Sequence, residues 1–227
     1  TISTSTYNSY GSIENFNIIA RDFNDPNATC ILTLNANLYL KFCQLTNAHC
    51  AIFLGEGSTI MDNLIITECE QAVQITCFSS TCNNEISNSL IFTNSSFDAI
   101  YLAFSGYTKI WNNLILNQLE WGGIFMDYAT HKGADIHNNL IANLRYEHID
   151  LSPEIIIDTI KVYNNLLVYQ PQGFLIWYAI FGVDAEIKIE NNVIANNYAG
   201  VEKSNYSIED FNLFWNNTIN SNKELGD

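Results

Sequence analysis

The sequence predicts an all-β, right-handed parallel β-helix, a three-sheet solenoid of about nine coils, and three observations predict it. The unit Ile136-His-Asn-Asn-Leu-Ile141 recurs along most of the 227 residues. A second β-prone segment, a small residue followed by Ile-x-Leu, trails most copies. The apolar residues of both segments alternate with period two in short runs, rather than recurring at helical spacing over ten or more positions.

The copies begin at Ile13, Leu40, Ile60, Ile86, Ile110, Ile136, Val162, Ile189 and Ile208. Successive starts lie 27, 20, 26, 24, 26, 26, 27 and 19 residues apart, and a period in this range means a solenoid. Leucine-rich repeats would need a different Leu spacing, and a left-handed hexapeptide solenoid would need a six-residue period. Neither is present.

The Asn pair explains the corner. One Asn can take the left-handed conformation of a sharp turn, which Asn tolerates better than other non-Gly residues. The other can stack on its equivalents above and below, its amide bonding along the column. The trailing strands read Ala51-Ile-Phe-Leu54, Ala72-Val-Gln-Ile75, Ala99-Ile-Tyr-Leu102, Gly123-Ile-Phe-Met126 and His148-Ile-Asp-Leu151. Alternation sends their second and fourth positions to the core, and the first, third and fifth to solvent.

The chain reads as a single domain, 1–227, with a β-prone extension at 1–10 and an irregular tail at 218–227. Neither end offers a helical or polar cap. Either the chain is a piece of a longer one whose neighbouring parts supply the caps, or copies associate, with residues 1–10 as an added strand in a neighbour.

The repeated unit Ile-x-Asn-Asn-Leu-Ile-x-Asn, with the small residue and Ile-x-Leu after it, resembles the parallel β-helix repeats of the pectate-lyase-like superfamily. The resemblance covers about residues 10–217 and implies a site on one exposed sheet and the loops beside it. That superfamily includes polysaccharide lyases, glycoside hydrolases, epimerases, phage tailspikes and non-catalytic surface proteins, so the fold does not choose among them. The Asn-Thr-Asp, Asp-Asp, Gly-His-Gly and Arg-Ile-Lys set expected of polygalacturonase-like hydrolases is absent. So is the Asp-Pro-His-Glu signature of alginate epimerases.

Composition narrows the partners. A net charge of −15, with only nine Lys and Arg, excludes a generic nucleic-acid binder and repels anionic glycans unless a divalent cation bridges them. No apolar run approaches the ~20 residues of a membrane span. The six Cys, at 30, 43, 50, 69, 77 and 82, suit disulfides in an oxidising compartment, Cys77 with Cys82 and Cys50 beside Cys69, or else buried free thiols. Their spacing does not resemble a zinc site.

The outward third column of the trailing strands reads Leu32, Phe53, Gln74, Tyr101, Phe125, Asp150, Ile176 and Glu202, and the fifth adds Asp127, Ser152 and Tyr178. Tyr101, Phe125 and Tyr178 form a candidate carbohydrate-binding track, because aromatic faces stack on sugar rings. Turns or a neighbouring subunit could cover the same rings instead. The candidate catalytic set is Asp127, His148, Asp150 and Arg145, with His131, Lys132 and Glu147 close in sequence. Asp127 and Asp150 could act as acid and base or hold Ca²⁺. Trp111, His137, Tyr163 and Asp62 read as framework or surface, and His49 as a turn residue.

The expected protein is an extracellular or cell-surface, non-catalytic structural module that associates end to end with itself or other surface subunits, or binds glycans. A polysaccharide lyase or glycoside hydrolase is one alternative, and a tailspike-like receptor-binding module is another. No cofactor beyond Ca²⁺, no nucleic acid and no membrane insertion are expected.

Overall fold

The computed structural model describes residues 2–4, 9–20, 28–34, 36–77, 81–94, 97–103, 106–117, 122–127, 130–142, 147–153, 155–176, 180–181, 186–202 and 207–221. Every strand pairing among them is parallel, in ladders between residues about one repeat apart. The first sheet stacks nine strands in chain order: Ser9–Glu14, Ala36–Lys41, Thr59–Asp62, Asn83–Ser87, Tyr107–Trp111, Gly133–His137, Ile160–Tyr163, Ile187–Glu190 and Ser207–Asp210. Each is followed by a corner and a strand of the second sheet, such as Leu90–Thr93 or Leu140–Ala142. The third sheet holds Thr29–Thr33, Cys50–Leu54, Gln71–Thr76, Ile100–Ala103, Ile124–Met126 and Glu147–Leu151. Two long strands, Leu166–Ile176 and Val193–Glu202, run through the corner between the second and third sheets and join them into one hydrogen-bonded ladder. A lateral sheet of Thr130–His131, Ile155–Ile156 and Ile180–Phe181 stands beside the solenoid.

The coil follows from the repeat. Ile86, Ile110, Ile136, Val162 and Ile189 stack inside the first sheet, each fully buried. Ile66, Ile91, Ile115, Ile141 and Leu167 do the same in the second, and Ile52, Val73, Ile100, Ile124 and Ile149 in the third. Each such side chain contributes about 1.5–3 kcal/mol through burial. At the corner, Asn88, Asn112, Asn138, Asn164 and Asn191 take φ of 51–61°. The second Asn of each pair is buried and forms a ladder. Asn113 Nδ2 donates to Asn139 Oδ1 at 3.1 Å, and Asn139 and Asn165 continue the chain to Asn192 at 3.0 Å each. Both expected roles of the pair are filled, one by each residue.

Several expectations need correction. About six turns make up the regular solenoid rather than about nine; the first sheet also includes worn copies at its two extremes, where Ile13 and Glu209 are only partly buried. Two copies slip by one residue: the core column is occupied by Met61, in register with Leu40 and Ile86, while Ile60 is 44% exposed. Likewise Glu209, not Ile208, lies in register with Ile189. The corner sets the frame, since Asn63 and Phe211 hold positive φ, and a slip of one residue exchanges the two faces of a strand. Ile2–Thr4 pairs with Thr29–Thr33 of its own chain. Within the tail expected to be irregular, Ile219–Ser221 is a strand paired with Val193–Glu202.

The cysteines divide. Cys77 and Cys82 form a disulfide, whereas Cys30, Cys43, Cys50 and Cys69 are buried free thiols, so each of the two expected alternatives holds for part of the set. These four pack as small core residues.

Candidate functional site

The outward column of the third sheet is where the sequence placed the site, and there the structure forms a recess of about 380 Å³. Gln74, Tyr101, Phe125 and Asp150 follow one another in register on four successive strands. Tyr101 and Phe125 pack with ring centroids 5.6 Å apart and planes tilted by 50°. The loops between the second and third sheets supply the opposite wall: His49, Phe97 and Asp98. His49 Nδ1 pairs with Glu70 Oε2 at 2.5 Å, and its ring meets Phe97 edge-on at 5.5 Å. Asp98 is held by the Gly122 N–H, which donates to its Oδ1 at 2.9 Å.

The carboxylates are anchored by hydroxyls. The Tyr101 hydroxyl donates to Asp127 Oδ2 on the following coil. Burial, and then this bond to Asp127, push the Tyr101 phenol up from its ordinary value. Asp150 accepts from Ser152 Oγ on its own strand. His131 Nε2 lies 3.0 Å from the Asp127 carbonyl, and burial pushes its imidazole down to about 4.

The structure brings Tyr101, Phe125, Asp127 and Asp150 to one neighbourhood, but it separates His148 from them. His148 was expected to project to solvent, yet it is fully buried, with Nε2 3.1 Å from the Val168 carbonyl. The same holds for the other first positions, Ala51, Ala72, Ala99 and Gly123: each is buried at the corner where the chain turns from the second sheet into the third. Alternation fails there because the turn, not the pleat, aims the side chain. Ser152, expected outside, is buried as well. Arg145 and Tyr178 lie outside the described residues.

Two surfaces escaped the sequence reading. A groove of about 820 Å³ runs along the first sheet between Tyr39, Ile60, Glu85, Tyr107 and Lys109. The one-residue slip hides it, because the repeat alignment puts Ile60, not Met61, in the column of the buried Ile86 and Ile110. Beside it Trp111, His137 and Tyr163, read as framework or surface, form a stack with centroid separations of 6.0 and 4.7 Å and planes within 12°. Trp111 Nε1 donates to Glu85 Oε1 at 2.9 Å. Burial pushes the His137 imidazole down, opposed by Asp135. The signal that could have found the stack is the in-register aromatic column itself.

A parallel β-solenoid with an aromatic and carboxamide recess on one sheet is the class these features define. The chain belongs to the right-handed beta helix family: the model described as right handed beta helix region matches residues 29–181, 153 of the 227. No curated protein matches the chain.

Proposed function

We propose that this chain is an extracellular, non-catalytic β-solenoid whose third-sheet face binds a neutral saccharide. The observation that carries the reading is the recess lined by Tyr101, Phe125 and Phe97 together with Gln71, Gln74 and Asp98. Aromatic rings offer stacking surface to a sugar's apolar face. Carboxamides and a carboxylate offer bonds to its hydroxyls. The charge of −15 favours an uncharged glycan over an anionic one. The non-catalytic reading is supported by the burial of His148 and by the hydroxyl partners of Asp127 and Asp150. The extracellular one is supported by the Cys77–Cys82 disulfide.

The test is calorimetric titration with neutral and anionic oligosaccharides, with and without calcium, alongside chromatography for shortened products. A neutral oligosaccharide should bind without being cleaved. Tyr101→Ala and Phe125→Ala should each weaken binding about tenfold, the loss of one stacking platform. No binding across the panel sinks the reading. Binding that needs calcium would bring in Asp127 and Asp150 as cation ligands. Release of products would favour the lyase or hydrolase alternative, with the same two residues as acid and base.

A second reading, association with further copies, is favoured by the rung Ser207–Asp210 and Leu213–Trp215. It leaves Phe211, Leu213 and Trp215 exposed by 78%, 55% and 67%.

A further inference from the structure

The spacing of the cysteines does not suggest a metal site, but the fold brings a third ligand to one pair. Glu56 sits in the turn after Cys50–Leu54, and Cys77 follows Gln71–Thr76, the next strand of the same sheet. Cys82 precedes Asn83–Ser87. One ligand atom from each of Glu56, Cys77 and Cys82 lies within 4.8 Å of the other two. Glu56 Oε2 is 3.3 Å from Cys77 Sγ and 3.9 Å from Cys82 Sγ. The sulfurs belong to residues only 2% and 3% exposed.

The surroundings are arranged around those sulfurs. The Gly57 N–H donates to Cys82 Sγ at 3.4 Å, from a φ of 123° that glycine alone adopts readily. The Tyr107 N–H donates to the Cys82 carbonyl at 3.0 Å. Gly106 packs so tightly there that a Cβ would fall 2.0 Å from that oxygen. In the oxidised state a disulfide carries no proton for the carboxylate to accept. In the reduced state a thiol can donate to the carboxylate, and a cation that displaces the thiol protons offsets the repulsion the two thiolates and Glu56 would otherwise feel.

The geometry points to a redox-gated metal site, in which Glu56, Cys77 and Cys82 hold a thiophilic divalent cation of the zinc class once the disulfide is opened. A dithiol reductant supplies two electrons and two protons. The Cys77–Cys82 bond breaks to two thiols, and the reductant leaves as its own disulfide. The cation then displaces the two thiol protons, and Glu56 completes a three-residue set whose fourth position takes water. The other cysteines compete poorly. Burial pushes the Cys50 and Cys69 thiols up to about 12 and raises Cys30 as well. The redox poise of the compartment sets which state the protein holds, and the inference is independent of the saccharide recess.

The test takes the full chain, reduced with a dithiol, desalted without oxygen and titrated with Co²⁺. A near-ultraviolet thiolate-to-cobalt band should grow to saturation at one ion per chain and bleach on adding Zn²⁺. Oxidised protein should show none. The Cys77→Ser/Cys82→Ser protein should lose the band. Glu56→Gln should keep it with affinity lowered about tenfold or more. Circular dichroism on every sample checks that the solenoid persists. The inference is overturned by any of four results: no band in reduced protein, an equal band in the double-serine protein, unchanged affinity in Glu56→Gln, or loss of the β-sheet signal on reduction alone.

Discussion

Asn138 and Asn139 are the same residue type side by side, and their environments give them different work. Asn138 is exposed and holds φ at 56°. Asn139 is buried, and its amide donates to Ile110 O and Asn165 Oδ1 at 2.9 and 3.0 Å. Its Oδ1 accepts from the backbone N–H of Asn113 at 3.0 Å. Removing it strands buried backbone groups, each costing about 1–3 kcal/mol. Asn139→Ala should therefore destabilise by about 3 kcal/mol in urea unfolding. Asn138→Ala should cost about 1 kcal/mol, the strain of an alanine at positive φ. The reverse order would refute this division of labour. The pair was legible in the sequence, and so was its dual role; which Asn does which was not, because that depends on the neighbouring coils. The same limit explains the slip at Ile60 and Ile208, where one residue decides the face and only the corner angle decides the residue.

Strands carry the next level, and the two-residue strand Thr130–His131 is the informative one. Its ladder to Ile155–Ile156 is in register at His131 and Ile156, both fully buried. Burial holds the His131 imidazole near 4, while an unfolded His titrates near 6.5. Between these values the unfolded chain binds more protons, so stability is complete above about pH 6.5 and falls as pH drops toward 4. The loss is on the order of 3 kcal/mol, the free energy of that shift. Urea midpoints at pH 7 and pH 4.5 should separate more for the native chain than for His131→Gln, and an equal separation would rule the effect out. The alternation of the third-sheet strands was legible where the pleat aims the side chain: Tyr101 and Phe125 face outward as expected, and Ile100 and Ile124 inward. It failed at His148, where the corner aims it.

At the scale of the whole molecule, charge opposes association and the last described rung favours it. A net −15 repels a second copy over about 10 Å at 0.1 M salt and less at higher salt. The exposed Phe211, Leu213 and Trp215, of which Leu213 continues the outward column of Leu166 and Val193, offer apolar area that a copy packed alongside would cover. Sedimentation velocity should show larger species as salt rises, and Trp215→Ser should reduce them; a single monomeric species at every salt concentration would remove the association reading. The sequence by itself determined the solenoid, because its period, alternation and Asn pairs are local signals repeated in every coil, and each copy reinforces the next. It also determined which faces of most strands point outward. Only the tertiary structure decided which outward residues meet. The loops carrying His49, Phe97 and Asp98 close over Tyr101 and Phe125, and Glu56 reaches Cys77 and Cys82 from the coil before. Such meetings depend on loop paths that follow no repeat, so nothing in the local pattern encodes them.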